Sequence, residues 1–218
     1  MANQIKCVLF DLDGTLINTI TDLGNACDYV MKKHGFQASW KEEDYKRFVG
    51  NGMRLLVDRA FKHTLSEEEL NSVLSEFKEY YNKTCLDNTD AYGGIKEQLG
   101  LLKDKGLKLA VITNKAEEAA KYIIEYIFGK GIFDLIIGQR DGMPTKPDPA
   151  GLFLALDELG YKKENAVFLG DSNVDIQTAK NAGIRCIGVT WGFRSREELE
   201  KEGADEIIAS PEQITEII

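Results

Sequence analysis

Asp11 and Asp13 stand at the end of an apolar run, Val8-Leu9-Phe10, and are followed at once by Gly14 and Thr15. In an extended chain successive side chains alternate, so the two carboxylates share one side while Phe10 and Leu12 share the other. Acids at the end of a buried strand are costly unless something compensates them. For this stretch alone a turn is the rival reading, because Asp and Gly are ordinary turn residues. Further polar clusters recur down the chain: Thr113-Asn114-Lys115, Lys146 within Pro144-Thr145-Lys146-Pro147, and Gly170-Asp171-Ser172 with Asp175. Each follows a predicted strand or lies in the loop after one, a coincidence that turn chemistry alone does not explain.

Carboxylates converging in this way repel one another unless a cation sits among them. An all-oxygen set without His or thiolate favours a hard ion, Mg²⁺ above all. Thr113 and Asn114, placed at a helix N-terminus, offer a hydroxyl and backbone N–H groups suited to phosphate oxygens. Lys146 can pair with a carboxylate and with a phosphoryl group. Neither a G-x-x-x-x-G-K-[ST] loop nor a G-x-G-x-x-G fingerprint is present, so ATP or NAD use by those routes is not indicated. With only two His and no Ser/His/Asp grouping, Asp must do the covalent and proton-transfer work.

The elements that must position these residues follow from the hydrophobic pattern. Strand one ends at about Phe10, and the next buried strand, Leu107 to Ile112, comes almost a hundred residues later. A parallel crossover needs about a dozen residues, so the segment between should be a domain of its own. Its pattern is helical: helices are expected over about Asn18–Lys33 and Asn51–Lys62, with capping boxes at Ser39/Glu42 and Ser66/Glu69. After Tyr92-Gly93-Gly94 strands and helices alternate. A helix over Ile95–Lys105 precedes strand two, which ends at Thr113-Asn114, and another runs to about Phe128. Strand three is Leu135–Ile137, and Asp148-Pro149 opens the next helix as N-cap and first helical residue. Strands at Ala166–Leu169 and Cys186–Val189 follow, then a capping box at Ser195/Glu198, a short strand at Ile207-Ile208 and a last helix after Pro211. This predicts an α/β fold: a doubly wound, Rossmann-like parallel sheet (1–15 and 88–218) carrying an inserted helical bundle (16–87). In such sheets the functional crevice lies beyond the carboxyl ends of the strands, where every cluster above falls.

Composition narrows the partners. The net charge of −9 argues against nucleic acid or an anionic membrane surface. No long apolar run suggests a membrane span, and Met1–Lys6 lead into a strand too short for a signal sequence. The four cysteines are scattered and read as buried small hydrophobes in a reducing compartment, which places the chain in the cytoplasm. Oligomeric state, monomer or homodimer, is left open.

Phe10-Asp11-Leu12-Asp13-Gly14-Thr15-Leu16, Thr113-Asn114, Lys146-Pro147 and Gly170-Asp171-Ser172-Asn173-Val174-Asp175 resemble, in order, the four motifs of the haloacid dehalogenase-like hydrolases. The helical insert looks like the cap of that superfamily's first class. Val49-Gly50-Asn51-Gly52, Thr113-Asn114-Lys115 and Trp191-Gly192 resemble the phosphoglycolate phosphatase group in particular. The resemblance implies a Mg²⁺-dependent phosphatase acting on a small phosphorylated metabolite, phosphoglycolate favoured. Asp11 would be the nucleophile that forms an aspartyl-phosphate, and Asp13 the acid and base whose main-chain carbonyl also binds Mg²⁺. Asp171 would be a metal ligand, with Asp175 holding the site from behind or through water. Thr113, Asn114 and Lys146 would hold the phosphoryl group, with Gly14 and Ser172 beside it.

Asp13 separates this sequence from the dehalogenases, which lack that residue. The alternatives are a phosphomutase like β-phosphoglucomutase, which shares core and cap, and a nonenzymatic protein that binds a phosphorylated ligand. Asn51 and Arg54 could face the crevice and contact the leaving group, or Asn51 could merely cap a helix. Lys115 could guide an anion or simply be solvated.

Overall fold

The computed structural model describes residues 4–218, so part of the Met1–Lys6 lead-in lies outside the described residues. The chain divides into two compact units: one runs up to Ile17 and resumes over Ala91–Ile218, and the other is Asn18–Asp90.

The first unit is built on a six-stranded parallel sheet. Its strands are β1 (Cys7–Phe10), β4 (Lys108–Ala116), β5 (Leu135–Gln139), β6 (Ala166–Gly170), β7 (Arg185–Val189) and β8 (Glu206–Ile208), in the spatial order β5-β4-β1-β6-β7-β8. The doubly wound α/β fold expected from the alternation is therefore the fold observed. β1 is fully buried along its length, as an unbroken apolar run requires in a sheet covered on both faces. It lies between β4 and β6 with Phe10 opposite Val111 on one side and Leu169 on the other. After β1 the chain builds outward through β4 and β5, then returns past β1 to add β6, β7 and β8. Strand order thus reverses around β1, and the carboxyl ends of β1, β4 and β6 frame the crevice that such a reversal creates. Helices α5 (Ile95–Asp104), α6 (Glu117–Phe128), α7 (Ala150–Leu159), α8 (Asn173–Ala182) and α9 (Arg196–Glu202) make the connections, and a 3₁₀ turn leads into the terminal α10 (Ile214–Ile217).

The second unit holds α1 (Ile20–Lys33), α2 (Glu42–Phe48), α3 (Met53–Ala60) and α4 (Glu67–Thr84). Leu70, Val73, Phe77 and Tyr81 form the buried stripe of α4, at the helical spacing seen in the sequence. The buried Asp22 carboxylate on α1 accepts from the backbone N–H of Asn88 (3.0 Å), the Asn88 amide (2.8 Å) and the Thr89 hydroxyl (2.7 Å). Those bonds tie the exit of this unit to its entry. The two connecting segments, β2 (Ile17–Asn18) and β3 (Asp90–Ala91), pair as a two-stranded ribbon that local patterns did not predict, each being only two residues long.

Several boundaries differ from expectation, each for a local reason. The Ser66/Glu69 and Ser195/Glu198 boxes are formed, but Ser39/Glu42 is not. Instead α2 starts after Lys41, whose N–H donates to the Asp44 carboxylate at 2.9 Å; an acid two residues further on does the work assigned to Glu42. α3 starts at Met53 after Gly52, and Asn51 is not its cap. β4 runs on to Ala116, so Thr113, Asn114 and Lys115 are extended and the helix opens only at Glu117. At α7 the cap position belongs to Pro149, with the Asp148 carboxylate accepting from the Ala150 N–H at 2.9 Å. Among the described residues no helix is long and apolar enough to cross a membrane.

Candidate active site

β1 delivers Asp11 one residue beyond its last paired position, where the Asp11 N–H still bonds the Leu169 carbonyl at 2.9 Å. The chain then turns tightly: the N–H groups of Leu16 and Ile17 both reach back to the Leu12 carbonyl, at 3.0 and 3.1 Å. Gly14 sits in this turn at φ +93°, and a Cβ there would overlap the Asp171 carboxylate. Gly192, in the loop after β7, is as closely packed, since its Cβ would meet both Asp171 and the Gly14 carbonyl. Backbone therefore closes around Asp171 where any larger residue would displace it.

β6 ends at Gly170 and supplies Asp171, and the first turn of α8 supplies Asp175. Asp11, Asp171 and Asp175 are all buried, with carboxylate oxygens within 4.8 Å of one another. Lys146 bridges two of them: its ammonium lies 2.7 Å from Asp11 Oδ1 and 2.6 Å from Asp175 Oδ1. The other Asp175 oxygen accepts from the Ser172 hydroxyl (2.6 Å) and N–H (3.1 Å), a capping box at the head of α8. Asp171 accepts from the Thr15 hydroxyl at 3.1 Å and the Phe193 N–H at 2.7 Å. Asp13 pairs with Lys115, whose ammonium is almost wholly buried 2.9 Å from Asp13 Oδ1.

Three buried carboxylates facing one bridging ammonium leave negative charge uncompensated. Burial, and then repulsion from Asp175, push Asp171 up to about 7 against the pull of its Phe193 and Thr15 donors. Burial likewise raises Asp11 well above the usual carboxylate range; Asp175 and Asp171 add to the rise, and Lys146 opposes it. For Lys146 burial disfavours the charge, but Asp11 and Asp175 outweigh it and raise the ammonium's pKa. The donor set, all hard oxygen and short of positive charge, fits a divalent cation.

The sequence candidates divide clearly by what they touch. Asp11, Asp171, Asp175 and Lys146 come together, and the Asp13–Lys115 pair joins the same turn to the end of β4. Lys115 is thus neither solvated nor exposed. The Thr113 hydroxyl accepts from the Lys115 N–H at 3.1 Å, the Ser172 hydroxyl serves Asp175, and the Asn114 amide bonds the main chain of Lys146. Asn51 and Arg54 belong to the helical unit. There Asn51 accepts from Arg59 at 3.1 Å, while Arg54 pairs with Glu67 and donates to Asn71 at 2.7 Å. The Thr15 hydroxyl, the Gly192 contact and the Phe193 N–H were not singled out from sequence. Thr15 and Trp191-Gly192 stood in the stretches that carry the resemblance, which was the available signal, but without a role assigned to either.

Fold and site together define a class, and comparison with known proteins agrees. Residues 8–189 match the family described as haloacid dehalogenase-like hydrolase, and the chain belongs to that family. Its likenesses lie on the phosphatase side. It is 33% identical over 189 residues to the phosphoglycolate phosphatase of Aquifex aeolicus (strain VF5), covering 87% of this chain and 86% of that one. Identity to the phosphoglycolate phosphatase of Pectobacterium atrosepticum is 33% over 210 residues, 94% of this chain and 88% of the relative. A crystal structure from Lactobacillus delbrueckii subsp. bulgaricus, described provisionally as a phosphoglycolate phosphatase, superposes with a TM-score of 0.93 at 35% identity, covering 99% of this chain and 98% of that one. CbbY from Rhodobacter sphaeroides, solved in complex with phosphate, gives a TM-score of 0.80 at 27% identity over 95% of each chain. The chain is accordingly a phosphatase, phosphoglycolate phosphatase-like within its family.

Proposed function

We propose that this phosphatase hydrolyses phosphoglycolate, or a small phosphate monoester close to it, in a Mg²⁺-dependent reaction through an aspartyl-phosphate on Asp11. The observation that carries the reading is the Lys146 ammonium shared between Asp11 and Asp175 beside Asp171, with Asp13 paired separately to Lys115. The names of the relatives support the substrate.

Asp11 is held by Lys146 in one orientation, so the oxygen not bonded to the ammonium is the one that attacks phosphorus. The bond from Asp11 to phosphorus forms as the ester bond breaks, and Asp13 gives its proton to the departing oxygen. Asp13 then takes a proton from the water that opens the aspartyl-phosphate, which returns inorganic phosphate and free Asp11. Asp11 and Asp171 would hold Mg²⁺, with the main-chain carbonyl of Asp13; Asp175 would act from behind, where one oxygen holds the Lys146 ammonium and the other caps α8 through Ser172. When bound, the metal neutralises charge on the phosphoryl oxygens and on the carboxylates.

A panel of phosphate monoesters assayed with Mg²⁺ and with EDTA tests this reading. Phosphoglycolate should give the highest kcat/KM, and EDTA should abolish release of phosphate. Turnover undiminished by EDTA, or a hexose 1-phosphate converted to its 6-phosphate, would contradict it.

Proton and metal compete for Asp171, whose pKa lies at about 7 without metal. Apparent Mg²⁺ affinity, measured by calorimetry, should therefore strengthen as pH rises from 6 to 8 in roughly that range. An affinity flat across the interval would show that Asp171 is not the ligand losing a proton.

A further inference from the structure

Asn114 does not present its amide as a simple ligand for an anion. Its Nδ2 donates to the Lys146 carbonyl at 3.0 Å, and its Oδ1 accepts from the Lys146 N–H at 2.8 Å. Both residues are buried, at 7% and 6% exposure. The amide therefore grips one peptide unit on either side of Lys146 as a neighbouring strand would, in a loop with no strand partner there. From that anchored main chain the side chain reaches the two carboxylates on which the site depends, Asp11 and Asp175.

The anchor matters because of what a loop otherwise allows. A lysine side chain has four rotatable bonds, and a loop adds backbone freedom to them. The ammonium must meet two carboxylates at 2.7 and 2.6 Å at once, and a shift of one ångström at its root breaks one of those contacts. Asn114 stands at the end of β4, the central-sheet strand hydrogen-bonded to β1, so it refers the loop to the same rigid frame that carries Asp11.

We propose that Asn114 is a positioning residue that acts through Lys146, setting the ammonium between Asp11 and Asp175 instead of binding the phosphoryl group with its side chain. The proposal deepens the phosphatase reading above and rests on its assignment of Lys146 to the reacting centre. It names a role for the second residue of the Thr113-Asn114 pair distinct from that of the first.

The test combines a spectroscopic signature with turnover. An ammonium buried between two carboxylates exchanges its protons slowly, so Lys146 should give a side-chain ¹H–¹⁵N signal in the full-length protein. Its loss in Lys146→Arg assigns it. In Asn114→Ala that signal should shift beyond its linewidth or broaden away while the backbone amide spectrum is otherwise kept. The kcat of the same variant should fall about 10- to 100-fold, the range seen when the partner that orients a functional group is removed. Asn114→Asp keeps the acceptor for the Lys146 N–H and loses the donor to its carbonyl, so it should move both readouts the same way and serves if the alanine variant does not fold. A turnover loss with an unmoved ammonium signal would overturn the proposal, as would a moved signal with full turnover or a wild type lacking the signal. Failure of the phosphatase reading is a separate result: it would show as wild-type protein that turns over no ester in the panel, whatever the ammonium does.

Discussion

Asp11→Asn should remove turnover, by more than about a thousandfold, and at the same time make the metal-free protein more stable than the wild type. The two effects have one origin. Asp11 is buried among carboxylates with a single ammonium for relief, so its ionised form is costly and its pKa stands well above the ordinary value. A folded-state pKa above the unfolded one contributes stability that is complete below the unfolded pKa and is lost as pH rises through the folded one. The wild type thus loses stability with rising pH on account of Asp11, and an uncharged amide does not. The carbonyl oxygen of Asn can still accept from Lys146 in the place of Asp11 Oδ1. The gain should be on the order of 1–3 kcal/mol at pH 8 and should shrink toward acid pH. Thermal unfolding in EDTA at pH 5 and pH 8 reads the difference, and phosphate release reads the turnover. A variant that keeps a tenth of wild-type turnover, with deamidation back to Asp excluded by mass spectrometry, would remove Asp11 from the role of nucleophile. One less stable than wild type at pH 8 would mean that the ionised carboxylate earns more from Lys146 than its burial costs.

Lys146→Ala should do the reverse to stability. Taking away the ammonium leaves Asp11 and Asp175 buried without the cation they share, and breaking such a pair costs about 3–5 kcal/mol. With Lys146 gone, the opposing influence on Asp11 disappears and its raised pKa rises further. By the same linkage the deficit against wild type should widen from pH 5 to pH 8 in EDTA, because more of the charge must be carried at the higher pH. Mg²⁺ should recover part of it by supplying another positive charge. Turnover should fall at least about a hundredfold even at saturating metal, since electrostatic groups at a phosphoryl site contribute on that scale. A stability loss independent of pH would point to lost packing, or to the lost contact of the Lys146 ammonium with the Phe168 ring, as the main effect.

The residue pattern also shows where local reading stops. The Ser66/Glu69 capping box could be read from four consecutive residues because cap geometry is local. Ser39/Glu42 matched the same pattern and failed, because α2 begins two residues later, after Lys41, whose N–H takes the Asp44 carboxylate. The extension of β4 through Lys115 was hidden for a different reason. Thr113-Asn114-Lys115 is too polar for a buried strand unless the side chains find partners, and those of Asn114 and Lys115 come from elsewhere in the chain.

From the sequence alone came the α/β alternation, the apolar run of β1 and the gathering of polar clusters at the carboxyl ends of strands. These are written in short-range periodicity and in the rule that parallel strands end on one edge. Tertiary structure alone decided how the charges pair. Lys115 meets Asp13 across 102 positions of sequence, Asn114 grips Lys146 across 32, and Gly192 closes on Asp171 in space. Such pairings depend on distances of a few ångströms between residues on different strands. Spacing along the chain carries no record of them, because a lysine or an amide satisfies a hydrogen bond equally well with any partner the fold brings within reach.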